Sequence, residues 1–376
     1  MTSYAARRIL LAVPLLLGMS VLIFGLMRLV PGDPAVAVLG YKATPEGIAA
    51  LREAFHLDEP VPRQYLRWLG AAARGDLGHD FRQNEPIGRM ILDRLPVTLE
   101  LTGLAAICTA LIGVPLGLLA GGRRGGGADR AALAVGLIGV SVPDFWLGIM
   151  LILGLSLGAG LLPSGGWVPF AESPIDNLIH LTLPALTLAV SRAAVLGRLT
   201  RAAVLDTMHR GFVQYARAKG LGERAILFRH VLPNAAIPIV TVLGLQVGYM
   251  LGGAIVVEMI FTLPGLWRMT LDAVLERNYP VVQSAVLVIG AMFMLVNLAT
   301  DVLYGAIDPR MRQRRWRRGT AGSRWPACSW CAPSRSPPRS RRSSCPVARP
   351  RSPGISRCAR RRGRSPSGWT TSGAAC

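Results

Sequence analysis

Six apolar runs, each long enough to cross about 30 Å of hydrocarbon, constrain this chain more than any other feature. They are Ile9 to Val30, Val97 to Ala120, Ala131 to Leu157, Leu178 to Leu199, Ala235 to Val257 and Val281 to Tyr304. At 1.5 Å per residue, about 20 residues suffice for a helical crossing. With 51% hydrophobic residues, the main part of the chain reads as an integral membrane protein. The expected fold is all-α and polytopic, with six transmembrane helices and a small extracytoplasmic helical insertion after the first. The fourth run carries Arg192, expected near its cytoplasmic end or snorkelling to it.

Basic residues set the orientation. Arg7 and Arg8 precede the first run, and Arg123, Arg124 and Arg130 lie between the second and third. The stretch from Arg192 to Arg229 holds eight Lys or Arg against Asp206 and Glu223. The intervening segment from Gly158 to Asn177 has neither Lys nor Arg. The long segment from Pro31 to Pro96 has eight basic and nine acidic residues, and long segments translocate regardless of such charge. Both termini are therefore expected in the cytoplasm, with the insertion outside. A cleaved secretory signal is the competing reading of the N-terminus, because Arg7-Arg8, an apolar run and Ala35-Val-Ala37 mimic its three regions. The run from Ile9 to Leu26 exceeds the 7–15 residues usual for such a core.

The insertion, about residues 31–95, has helical signals of its own. Thr44 suits an N-cap, with Pro45 in the first turn. Ile48, Leu51, Ala54 and Phe55 then form an apolar stripe. A second helix over Arg63 to Ala73 should present Tyr65, Leu66, Trp68 and Leu69, with Gly75 placed to end it. The pair reads as a scaffold packed on the membrane body, and its surface as either structural support or a contact for an external binding protein.

One basic, polar segment separates the fourth and fifth runs, within a cytoplasmic loop of about residues 200–235. It reads as a helix through Ala218, a break at Gly220 and Gly222, a second helix from Glu223 to Val231, and a stop at Pro233. Two glycines permit positive φ or close backbone approach at a sharp bend. Pro233 cannot continue the preceding helix but can begin the next. The bland alternative is an ordinary basic loop.

This elbow resembles the EAA loop of ABC-importer permeases: Gly220 is followed by Leu232-Pro233, Pro233 lying thirteen residues on. Gln214 and Tyr215 depart from the general Glu-Ala start, and Ala216 matches it. The wording Ala216-Arg-Ala-Lys-Gly220, with Arg229-His230 and Pro233-Asn-Ala235, is closer to the dipeptide, oligopeptide and nickel subgroup. Other stretches resemble that subgroup in order: Arg28-Leu-Val-Pro-Gly-Asp-Pro34, Gly75-Asp-Leu-Gly78, Arg94-Leu-Pro-Val-Thr-Leu-Glu100, Ser141-Val-Pro-Asp-Phe-Trp146 and Val257-Glu-Met-Ile-Phe-Thr-Leu-Pro-Gly265. The resemblance covers about residues 7–312 and implies a permease domain over 1–312. It implies that Tyr215, Ala216, Arg217, Ala218, Lys219, Gly220, Leu221, Gly222, His230, Leu232, Pro233 and Asn234 form a coupling surface for a separate ATPase. It further implies a second homologous permease, two cytoplasmic ABC ATPase subunits, an extracytoplasmic solute-binding protein, and transport of peptides or a related small solute across the cytoplasmic membrane.

Ionisable groups within apolar runs are costly and each needs a reason. Glu258, near Phe261 and Pro264, either lines the translocation path or pairs with an Arg or a backbone group at a helix end. Asp301 suits interfacial anchoring, and Asp144, after Pro143 at a kink, suits a structural hydrogen bond. Small residues such as Gly113 and Gly117 form a GxxxG, read as close helix packing, with a gating hinge as the alternative.

The net charge of +21 is concentrated in the last residues. After Asp308 there are eighteen Arg and no Asp, Glu or Lys, leaving 24 basic against 21 acidic residues before it. Residues 313–376 are rich in Arg, Ser and Pro and hold five of the six Cys; Cys108 alone lies in the body, a small apolar filler in its span. Such text cannot bury a core, so disorder or out-of-frame translation of a GC-rich gene is expected, with a functional end near Arg312 to Arg318. Binding of anionic lipid or nucleic acid is the alternative for an Arg-rich tail; no nucleic-acid partner is expected for the body. Cys328-Ser-Trp-Cys331 has no second pair to complete a zinc site.

There is no GxxxxGK[ST] phosphate loop, and His56, His79, His180, His209 and His230 lack metal-ligand spacing. No nucleophile motif appears, so no enzyme activity, cofactor or metal is expected of the chain itself. A secondary transporter would favour paired carboxylates at mid-membrane and inverted repeats, neither of which is seen. A non-transporting scaffold is the other alternative.

Overall fold

The computed structural model describes residues 2–29, 36, 44–54, 56–122 and 125–307. Apolar sequence at helical length becomes helix throughout this body. The elements are α1 (Thr2–Leu29), α2 (Pro45–Ala54), α3 (Val61–Ala72), α4 (Ile87–Gly122), α5 (Gly127–Ser141) and α6 (Asp144–Leu151), which runs into a π-helical turn at Ile152–Gly158. They continue as α7 (Pro174–Met208), α8 (Gly211–Ala218), α9 (Glu223–Ile226), a π-helical turn at Leu227–Val231, α10 (Leu232–Ile260), α11 (Leu266–Leu275) and α12 (Tyr279–Ile307). Among the described residues, five continuous helical stretches are long and apolar enough to cross a membrane, and α5 with α6 makes a sixth if the bent pair counts as one span.

That bent pair corrects the third run, expected as one helix. Its halves meet at 99°. Val142 takes extended backbone because the ring of Pro143 disfavours helix at the preceding residue, and α6 restarts at Asp144.

The body is organised on α4 and α7. Gly113, Gly117 and Gly121 recur at i, i+4 and i+8 on α4 and face Ala193, Gly197, Thr200 and Val204 of α7. A Cβ at Gly113 would stand 2.8 Å from the Ala193 carbonyl, and one at Gly117 would overlap Thr200 and stand 2.6 Å from the Gly197 carbonyl. The GxxxG therefore brings two backbones together, which matters in lipid where packing substitutes for the hydrophobic effect. Helix α10 crosses this pair through Met250, Ala254 and Val257, which pack with Leu101, Leu183 and Leu188. A second cluster joins α4, α11 and α12 through Ile87, Ile91, Leu266, Met269 and Ala285. Outward leucines such as Leu15 and Leu22 on α1 and Leu133 and Leu137 on α5 are exposed, as a lipid-facing surface requires.

The ends of the body can be told apart. Gly244 and Gly248 of α10 pack on Thr300 and Phe293 of α12, so α10 and α12 are antiparallel. The C-terminal end of α12 thus shares a side with the α8–α9 elbow. There Asp301 pairs with Arg8 of α1 at 2.9 Å, which ties the first and last spans and gives Asp301 its role.

The insertion lies at the opposite end. Thr44 caps α2 as expected, its Oγ1 accepting the Gly47 N–H at 3.1 Å. The rest of the predicted α2 stripe, Phe55 with the side chains of Leu51 and Ala54, lies outside the described residues. Helix α3 begins two residues before its predicted start, at Val61, and Gly75 follows it with φ +86°. Tyr65, edge-on, and Trp68, tilted, pack against Phe24 of α1 with ring centroids 5.4 and 6.1 Å away, and Tyr65 Oη meets Ser20 Oγ at 2.9 Å. Leu66, expected to pack, is exposed, while Gln64 is buried and accepts from Arg28. Farther along, Asn278 donates to Asp80, and Arg82 pairs with Glu276 at 3.0 Å.

Candidate functional site

The elbow is built by three local devices. Helix α8 ends in a Schellman motif: Gly220 N–H donates to the Arg217 carbonyl at 2.9 Å and Leu221 N–H to the Ala216 carbonyl at 3.3 Å. Gly220 sits at φ +80°, where an L side chain is strained. Arg217 then reaches across the bend to Glu223 with two hydrogen bonds, 2.7 and 3.1 Å, and this pairing pushes the Arg217 pKa up. Lys219 Nζ lies 4.7 Å from the centroid of the Tyr215 ring.

Two expectations about the elbow are corrected. Gly222 has φ −66°, so only Gly220 uses glycine's freedom. The second arm does not stop at Pro233: α9, the π-helical turn and α10 form one helical rod from Glu223 to Ile260. Pro233 lies inside this rod, directly after the π-helical turn at Leu227–Val231, where the change of helical register accommodates a residue without an N–H. Asn234 Nδ2 donates to the His230 carbonyl at 2.8 Å, bridging the change of helical register. The second arm of the elbow is therefore the beginning of a long apolar helix, and any displacement of that arm would be carried into α10.

The elbow has two faces. Val213 and Ala216 of α8, with Ile226 and Val231, are buried against Leu118 of α4 and Val204 of α7. Tyr215, Leu221 and Phe228 point away, 65%, 42% and 59% exposed. Of the predicted coupling residues, Ala216 is buried, and His230 and Leu232 are half-buried. Arg217, Ala218, Lys219, Gly220, Gly222, Pro233 and Asn234 are exposed. Sequence reasoning missed Phe212 and Phe228 as outward apolar groups, and Val213 and Ile226 as the inward anchors. Their spacing on α8, Phe212 to Tyr215 against Val213 to Ala216, carries that signal.

At the opposite end stands a second polar construction. Glu258, fully buried near the end of α10, accepts from Thr98 Oγ1 of α4 at 2.7 Å and from the Arg268 backbone N–H at 2.9 Å. Thr98 Oγ1 in turn accepts the Leu266 N–H at 2.9 Å. The carboxylate and the hydroxyl together cap the first turn of α11, where orphan N–H groups and the helix dipole favour a negative charge. Gly265 leaves room for this: a Cβ there would overlap the Glu258 carboxylate. Phe261 is buried too, and its carbonyl accepts the Gly166 N–H at 3.1 Å, while Pro264 in the same loop is exposed. Trp167 Nε1 and Asn177 Nδ2 both donate to Glu100 Oε2, at 3.0 and 2.8 Å, and fasten the α6–α7 loop beside it. Glu258 and Phe261 thus hold the 261–265 loop from within; Pro264 alone of the three predicted path residues presents itself to solvent.

Near the break between α5 and α6, Asp144 Oδ1 accepts from Ser191 Oγ at 2.8 Å, the structural hydrogen bond expected of it. Its other oxygen lies 3.6 Å from Arg192 Nη2. Arg192 is mid-way along the 35-residue α7, which runs on to Met208. Closer to the elbow, Asp129 and Arg201 pair at 2.7 and 2.9 Å. Among the described residues, no group of three or more His, Cys, Asp or Glu could hold a metal ion.

Residues 113–313 match the family described as the binding-protein-dependent transport system inner membrane component, and residues 1–102 match its N-terminal companion. The chain belongs to that family. It is 37% identical over 336 residues to the dipeptide transport system permease protein DppB of Alkalihalophilus pseudofirmus, covering 83% of this chain and all of the relative. It is 37% identical over 339 residues to DppB of Escherichia coli K12, covering 84% of this chain and all of the relative. The oligopeptide transport system permease protein AppB of Bacillus subtilis is 36% identical over 314 residues, covering 83% and 99%. Among solved structures, an inward-facing MetNI methionine ABC transporter aligns with a TM-score of 0.51 at 20% identity, over 60% of this chain and 99% of that one, a likeness of fold. The chain is thus a multi-pass inner-membrane permease subunit of an ABC importer, and ATP hydrolysis resides in a separate subunit.

Proposed function

We propose that this permease forms one half of a translocation pathway for peptides or a related small solute, opened and closed by force delivered to the elbow. A second homologous permease completes the pathway, two ABC ATPase subunits dock at the elbow side, and a solute-binding protein delivers substrate at the side carrying α2 and α3. Both termini and the elbow are cytoplasmic in this reading, and the insertion is extracytoplasmic. The antiparallel packing of α10 and α12 and the Arg8–Asp301 pair support a shared side for the termini and the elbow. Membrane lipid covers the outward leucines of α1 and α5. The 261–265 loop borders the outer end of the path, with Pro264 at its surface and Glu258 and Phe261 fixing its position. Residues 1–312 act as the permease domain, and the tail from 313 contributes nothing to transport; the end of the family match at residue 313 supports this division.

One observation carries the reading: the elbow is anchored inward by Val213, Ala216, Ile226 and Val231 while it holds Tyr215, Leu221 and Phe228 outward. Three large exposed apolar side chains on one short segment suit a surface that a partner covers. Because the second arm is continuous with α10, displacement there moves a spanning helix that contacts α4, α7 and α12. The test is cross-linking from Tyr215→Cys or Phe228→Cys in native membranes, with uptake measured in parallel. Capture of an ATPase subunit, together with uptake that stops on ATP depletion and survives an uncoupler, is expected. Absence of any nucleotide-hydrolysing neighbour under every nucleotide condition would overturn the proposal.

A further inference from the structure

The Asp144–Arg192 pair is placed where charge is expensive. Arg192 lies fourteen residues along α7 from Leu178, about 21 Å into the span. It stands six residues before Arg198, where charges resume towards the elbow side. Yet the pair is loosely made. Its 3.6 Å separation is long for a charge-assisted hydrogen bond, and both side chains remain about a quarter exposed, 25% and 26%. Among the described residues, the buried Nε of Arg192 has no hydrogen-bond partner. Ser191 occupies one Asp144 oxygen, leaving the other to share between Arg192 and the open side.

Helix α10 passes beside the pair. The break at Val142–Pro143 frees Asp144 from a continuous helix, and α10 passes so that a Cβ on Gly253 would lie 3.4 Å from Arg192 Nη2. Next to it, Gly252 faces open space. It belongs to a stripe with Leu245, Tyr249, Val256 and Met259, all exposed at helical spacing on the same face of α10. An incompletely paired guanidinium and carboxylate at this depth are tolerated where water or a polar solute meets them, not where lipid does.

We infer that Asp144 and Arg192 line the translocation path and contact the charged ends of the passing solute. Arg192 takes a carboxylate and Asp144 an ammonium, as a free peptide would present. This rests on the peptide reading above. The pair parts partially for the solute and closes behind it, so neither charge is left alone in the membrane.

The test uses the complete importer in proteoliposomes, with a tripeptide library delivered by its binding protein and read inside the vesicles by mass spectrometry. Uptake by the wild-type importer is the check on the peptide reading; if it takes up no member of the library, that reading fails, and this inference with it. Asp144→Leu/Arg192→Met and Asp144→Asn/Arg192→Gln remove the charges as pairs, a change that a merely structural ion pair tolerates. Both should assemble and keep binding-protein-stimulated ATPase activity within about twofold, while uptake falls at least about tenfold. Wild-type uptake in either double variant would overturn the inference.

A second measurement does not depend on those variants assembling. Gly252→Cys has room for its side chain, and is made in a chain whose six native Cys are Ser. It should react with a membrane-impermeant anionic methanethiosulfonate, and the library should protect it during turnover. No reaction in any nucleotide state, the result for a face covered by lipid or by the second permease, would also overturn the inference, as would labelling that substrate leaves unchanged.

Discussion

Gly220 shows how one residue sets the geometry of the whole elbow. Its φ of +80° closes the Schellman motif, and a Cβ there would meet nothing within 4 Å. The penalty for a side chain is therefore backbone strain alone, about 1–2 kcal/mol for a β-branched residue and less for Asn. Gly220→Val should leave expression and membrane insertion intact while uptake and ATPase docking collapse, and Gly220→Asn should retain most of both. Normal uptake in the Val variant, measured in cells, would argue against a coupling role. Glu258 makes the opposite case, in which chemistry and not conformation is at stake. Glu258→Ala strands Thr98 and the Arg268 N–H in a buried site and should cost about 3 kcal/mol, read as a lower melting temperature in detergent. Glu258→Gln keeps an acceptor oxygen and should cost less. Equal melting of the Ala variant and wild type would show that α11 needs no cap.

At the level of helices, the α4–α7 contact depends on the absence of side chains. Gly117→Leu should abolish accumulation of folded protein, because its Cβ meets both the Thr200 side chain and the Gly197 backbone, and backbone cannot yield. Gly103 on the same helix is the control, because a Cβ added there would meet nothing within 4 Å. Gly103→Leu should accumulate normally by size-exclusion chromatography. The helix boundaries are less legible than the helices. Apolar length announces the spans, but the 99° break at Pro143 and the uninterrupted run through Pro233 show that proline acts by position. Before α6 it disrupts the preceding residue; after the π-helical turn at Leu227–Val231 it is accommodated within a continuous rod by the change of helical register.

For the molecule as a whole, sidedness is the property on which function turns. Leu66 on α3 and Phe228 in the elbow are both well exposed and lie at opposite ends. In intact cells of a Cys-free background, Leu66→Cys should react with an impermeant maleimide that has crossed the outer layers, and Phe228→Cys only after permeabilisation. The reverse pattern would invert the assigned topology. The membrane body also ties its parts through contacts between residues far apart in the chain: Arg8 with Asp301, Thr98 with Glu258, Asp144 with Arg192 and Asp80 with Asn278. None of these partners is adjacent in sequence, so Glu258, Asp144 and Asp301 stood out as problems of burial while their partners did not, and Asp80 did not stand out at all.

Hydrophobic length, basic-residue distribution and the Gly220 to Pro233 spacing are one-dimensional quantities, and they determined the helical class, the number of runs and the place of the elbow. Each follows from local physics: the thickness of hydrocarbon, the cost of moving charge across it, and the backbone freedom of glycine. Which face of the elbow is anchored, which carboxylate caps a helix and which pair is left half-open depended on packing between elements tens to hundreds of residues apart. Burial and pairing are properties of three-dimensional neighbours, and only the folded chain supplies them.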